Sequence, residues 1–181
     1  MSNPHDDDFR LFPYRANTAD GRTNNGGIDL VQEPHRIAEI TEASTFPELR
    51  ALLVEANGEG SPYITLGCDA GPEDQRFQGY IEFSVRPQYA DHSSVLLNLD
   101  SAFTTFVKQY GDSEVDWNEY CAQTLRWESA IFSFKATPDV DQHKVTVWYQ
   151  FNNQQEAATF VTTLTAFLLD HVAIPTQNTR L

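Results

Sequence analysis

Asp91, His92, Ser93 and Ser94 set a carboxylate, an imidazole and two hydroxyls side by side, the group types of nucleophilic acyl transfer. Triads of that kind are assembled across a fold, not within four adjacent residues. Short polar side chains in that order suit a helix entry instead, where they satisfy the first free N–H groups. The other histidines, His5, His35, His143 and His171, are scattered through turns and termini. His35 and Glu39 are four apart, but the residues between them read as extended, so they share no helical face. Acidic groups gather at Glu73-Asp74, at Asp112, Glu114 and Asp116, and at Asp139 and Asp141. A cation or an acid/base pair could use such carboxylates, but none of these stretches has the spaced ligands, central glycine and closing glutamate of a calcium loop. Gly58-Glu59-Gly60 sits at a helix end and lacks the rest of any phosphate-cradling pattern. Cys68 and Cys121 are too few for a disulfide framework or a four-thiolate zinc site. No catalytic residue, metal or cofactor is expected on these grounds.

Charge narrows the partners. The 181 residues carry a net charge of −14, and Lys108, Lys135 and Lys144 are the only lysines. That balance lacks the basic patch a nucleic-acid surface needs. It suits a chain that stays dispersed and attracts a basic protein partner. The first residues lack the basic start and apolar run of an export signal, and no apolar run approaches a membrane span. A cytoplasmic location and no membrane partner are therefore expected.

The elements that must position any site are legible in the hydrophobic pattern. Residues 1–34 are polar and turn-rich, an N-terminal arm with Phe9, Leu11, Phe12 and Tyr14 as its apolar cluster. Two readings stand: a solvated arm, or one that lies across the domain with Phe12 and Tyr14 docked. Residues 35–174 read as one α+β domain and 175–181 as a tail. A short strand is expected over Arg36–Ile40. A helix over 45–57 follows from the Thr45/Glu48 capping-box spacing, with Pro47 in the first turn and Gly58 after the end. Ile64, Leu66 and Cys68 alternate along a strand from Pro62 to Asp69, and Gly71 to Asp74 reads as a loop. Arg76–Arg86 is the cleanest strand. Asp91–Tyr110 is an amphipathic helix, and Asp116 caps a short one to Leu125.

The stretch Trp127–Val172 then reads as strand, turn at Pro138-Asp139, strand and long helix. Phe132, Phe134, Val147 and Tyr149 are expected beneath the helix of Phe160 and Phe167. Strand–strand–helix thus occurs twice. The expected architecture is a single antiparallel sheet of four to five strands with helices packed on one face.

The other sheet face should carry Tyr80, Glu82, Ser84, Arg86, Ser133, Lys135, Thr146, Trp148 and Gln150. Tyr, Trp and Arg are enriched at protein interfaces. Tyr80, Glu82, Arg86, Lys135, Trp148 and Gln150 are therefore the candidate binding surface. The chain reads as a non-catalytic protein-binding module of the adaptor, chaperone, inhibitor or immunity type. The alternative is a small-ligand binder or enzyme with a pocket between sheet and helices, lined by Tyr63, Trp117, Tyr120 and Trp127. A homodimer that uses the same face remains open.

Overall fold

The structure is a computed structural model that describes residues 9–16 and 26–174. After a two-residue strand β1 (Leu11–Phe12) come a 3-10 turn (Pro34–Glu39), α1 (Thr41–Thr45) and α2 (Pro47–Asn57). The hairpin β2 (Tyr63–Glu73) and β3 (Arg76–Val85) is followed by a 3-10 run (Pro87–Asn98), α3 (Leu99–Tyr110) and α4 (Trp117–Thr124). A second hairpin, β4 (Leu125–Phe134) and β5 (Thr137–Phe151), leads into α5 (Gln154–Ala166), which ends in a π turn (Phe167–His171). The sheet has five strands in the order β1-β4-β5-β3-β2, so the two hairpins join through β3 and β5.

The sheet is mixed, where a purely antiparallel one was expected: β1 runs parallel to β4, pairing Leu11 with Ser133 and Phe12 with Phe134. It also curls. Phe12 from one edge strand and Ile64 and Leu66 from the other share a small apolar cluster with Tyr14, Phe132 and Phe134. The main core lies on the opposite face. There Phe77, Ile81, Phe83, Val85, Val145, Val147 and Tyr149 meet the apolar stripes of α2, α3 and α5.

Two apolar clusters explain why the face of β4 is misread from sequence. Phe132 stands opposite Gln142, while Trp127 and Ser129 stand opposite Val147 and Val145. Directly opposed side chains point the same way. Phe132 and Phe134 therefore face the arm, not the helix of Phe160 and Phe167. Likewise a bulge at Leu66 puts Ile64 and Leu66 with the arm and sends Cys68 to the helix side. Strict alternation from Ile64 to Cys68 cannot anticipate that extra residue.

Local chemistry moves several boundaries. Pro34 begins a 3-10 turn where a strand is expected, and Arg36 bridges Glu33 and Glu39, each three residues away. The Thr45 capping box does not form. The Thr45 hydroxyl donates back to the Glu42 carbonyl, Phe46 buries its ring, and α2 starts at Pro47. The helix expected over Asp91–Tyr110 is regular only from Leu99, because Asn98 leaves helical geometry. The β2–β3 turn is tighter than expected. Gly71 and Pro72 stay in the edge strand, and Asp74 and Gln75 make the turn at φ 47° and 66°. The second hairpin turns at Lys135-Ala136, so Pro138-Asp139 lies within β5 as a bulge opposite the Ser133/Phe134 step. The Asp116 cap is as expected, its carboxylate accepting from the Asn118 and Glu119 amides, and Asn153 Oδ1 caps α5 by accepting from Glu156 N.

Candidate functional site

The sheet face away from the helices has two ends. At one end the arm crosses it. Phe12 is fully buried, and Tyr14 reaches Glu82 on β3 and Lys144 on β5. Lys144 Nζ donates to Glu82 Oε1 at 2.8 Å, to the Tyr14 hydroxyl at 2.8 Å and to the Phe9 carbonyl at 3.0 Å. The Tyr14 hydroxyl in turn donates to Glu82 Oε2 at 2.7 Å, and Thr146 donates to Oε1 at 3.3 Å. Each ammonium proton thus has an acceptor, and both carboxylate oxygens are engaged. The Lys144 and Glu82 side chains are only 6% and 11% exposed. A buried pair persists only when its remaining donors and acceptors are matched, and the arm supplies that match here. Burial first, and the adjacent Glu82 carboxylate second, push the Tyr14 phenol well above its ordinary range.

The other end is open. Tyr80 on β3 and Trp148 on β5 are cross-strand partners with ring centroids 4.8 Å apart. The Arg126 guanidinium on β4 lies 5.2 Å from the Trp148 ring centroid, within cation–π range. Glu128 accepts from the indole N–H at 2.9 Å and bridges Arg126 at 3.3 Å. Beside this stack, Gln150 links Arg76 to Gln78, and Gln78 donates to Glu73. A cleft of about 510 Å³ opens over these side chains, with Asp69, Glu73 and Arg126 as its charges.

Gly79 forms part of the cleft wall because the strand has no room for a side chain there. A Cβ would sit 2.0 Å from the Asp69 carbonyl oxygen and 2.6 Å from the Tyr149 hydroxyl, which reaches across to that same carbonyl. The Tyr80 phenol is also pushed up, first by burial and then by the neighbouring Cys68, Glu82 and Asp69. The cleft lining contains carboxylates, amides, phenols and a guanidinium, but no histidine, serine or cysteine. Among the described residues, no group of three or more His, Cys, Asp or Glu is placed to hold a metal ion. No helix among them is long and apolar enough to cross a membrane.

Of the sequence candidates, the structure gathers Tyr80, Trp148 and Gln150 at the open end. Glu82 belongs to the closed network. Arg86 is used internally, donating to the carbonyls of Tyr63 and Gly58. Lys135 sits in the β4–β5 turn, away from the cleft. The four aromatics proposed to line an inner pocket do not converge. Tyr63 is fully buried against Phe83, Trp117 packs on Tyr120, and Trp127 packs on Phe103. Arg126, Glu128 and Gln78 were missed. Their only sequence signal was alternation within a strand, and the β4–β5 register that joins them to Trp148 is set by pairing. No protein-family model, curated protein or solved structure matches the chain.

Proposed function

We propose that this chain is a non-catalytic protein-binding module that holds a partner at the open end of the sheet face, as an adaptor, inhibitor, chaperone or immunity-type protein does. The observation that carries this reading is the partly exposed pair of Tyr80 and Trp148, whose rings meet across two strands at the open end. Tyr and Trp are among the side chains that most often dominate binding energy when a partner desolvates them. The net charge of −14 favours a basic partner and speeds its approach. The cleft volume also suits a small ligand, the second reading, and that ligand would be cationic for the same reason.

The test is capture from native extract with the wild-type chain and with Trp148→Ala, each checked for fold by circular dichroism. Loss of one specific protein in the Trp148→Ala capture supports the module. Equal recovery with both chains overturns it.

A further inference from the structure

We infer that the open part of the β4 edge, Leu125–Ser129, pairs with the same strand of a second copy in antiparallel register. The two sheet edges are built differently. The β2 edge is blunted three ways: Asn57 Oδ1 accepts from the Thr65 amide, a bulge interrupts the strand at Leu66, and Pro72 removes a donor. The β4 edge has no proline, glycine or bulge between Leu125 and Phe132. It already accepts an extended segment of this chain. Ser133 and Lys135 donate to the carbonyls of Arg10 and Phe12 at 2.8 Å each. Alternation along the strand then turns the N–H and C=O groups of Leu125, Trp127, Ser129 and Ile131 to the same side. The Leu125 N–H is taken by the Cys121 carbonyl at the end of α4, while beyond β1 no described residue bonds to Trp127, Ser129 and Ile131 on that side. Ser129, Ala130 and Ile131 are all exposed, while Leu125 and Trp127 are partly covered, Trp127 by Phe103 of α3.

The side chains select a second copy. Arg126 and Glu128 lie two apart on one face of the edge strand. A row of one charge sign would repel a copy of itself; this opposite-sign pair is self-complementary. In an antiparallel pair centred on Trp127, Arg126 faces the partner's Glu128, and Glu128 faces the partner's Arg126. Trp127 then meets the partner's Trp127, an aromatic cross-strand pair. Pairing over Leu125–Ser129 stops short of Ser133, where β1 is bound. The pairing draws Arg126 and Glu128, which touch Trp148, into the dimer contact, while the Tyr80–Trp148 pair itself lies one strand in from the edge.

Sedimentation velocity over a dilution series tests this on the full chain. The wild type should reach twice the monomer mass as concentration rises. Glu128→Arg should weaken the dimer about tenfold, because the two-fold axis creates the repulsion twice. The double change Arg126→Glu/Glu128→Arg should restore it. Ser129→Pro removes an N–H that points away from β5 and should abolish pairing while leaving the β4–β5 ladder and the melting temperature nearly intact. A wild type that stays monomeric at every concentration overturns the inference. So does a dimer indifferent to Ser129→Pro, or a double swap that stays monomeric.

Discussion

The closed and open ends of one sheet face use the same kinds of group to opposite effect. At the closed end, Lys144 and Glu82 form an ion pair almost without solvent, beneath Tyr14. At the open end, Arg126 and Glu128 form an ion pair with side chains 66% and 52% exposed, beside Trp148. In water such a bridge contributes roughly 0–1 kcal/mol and can be surrendered to a partner. Out of water, removing one partner strands a charge, so the buried pair locks the arm to the sheet. Burial, not residue type, separates the closed end from the open end.

That contrast breaks most sharply at Lys144. Lys144→Met leaves the Glu82 carboxylate buried without its counter-charge and should destabilise the fold by about 3–5 kcal/mol in urea unfolding. Adding Glu82→Leu should return much of that loss, since replacing both members of a buried pair by apolar groups is often near neutral. The Tyr14 hydroxyl, the Phe9 carbonyl and the Thr146 hydroxyl would then lose these partners. A single change that costs under about 1 kcal/mol would mean that water reaches the pair, and the two ends would not differ in kind.

Tyr14→Phe comes next. It removes a donor from Glu82 and an acceptor from Lys144, for an expected loss of about 1–3 kcal/mol. It also has a pH signature. The Tyr14 phenol is raised in the folded state above its ordinary value of 10.0. Below that pH both folded and unfolded chains keep the proton, and the stabilisation is fully present. Above it the unfolded chain releases the proton first, so stability falls as pH rises. Unfolding measured between neutral and strongly alkaline pH should therefore show a shallower decline for Tyr14→Phe than for the wild type. Equal slopes would place the phenol in solvent.

The closed end was only half legible in the sequence. The aromatic cluster of the arm left two readings open, solvated or docked, and Phe12 and Tyr14 are docked. The docking surface was hidden because Phe132 and Phe134 were assigned to the helix side. A strand with apolar residues on both faces carries no label for which face meets which cover. The bulge at Leu66 had the same effect, since one inserted residue reverses every side chain after it. Strong local signals survived better. Asp116 caps its helix as expected, because a cap is settled within one turn. Tyr80 and Trp148 share a face as alternation within each strand suggests once the two strands pair. Their third companion, Arg126, depended on the β4–β5 register, which arises from pairing across the 21 positions of chain between Arg126 and Trp148.

The open end should tolerate change that the closed end cannot. Trp148→Ala removes a half-exposed ring from Tyr80 and Arg126 and should lower stability by about 1 kcal/mol, while partner capture is lost. Arg126→Ala is the smallest perturbation and the most discriminating. An exposed cation–π contact contributes about 0.5–1 kcal/mol. Trp148 keeps its Tyr80 contact and its N–H bond to Glu128, so the ring stays in place. The melting temperature should barely move. The indole face, however, loses the guanidinium that covers it, and the cleft loses its positive charge while Asp69 and Glu73 remain. A basic partner should then bind more tightly than to the wild type, and the gain should shrink as salt is added. Weaker binding instead would make Arg126 a direct contact to the partner and reverse the assigned partner charge.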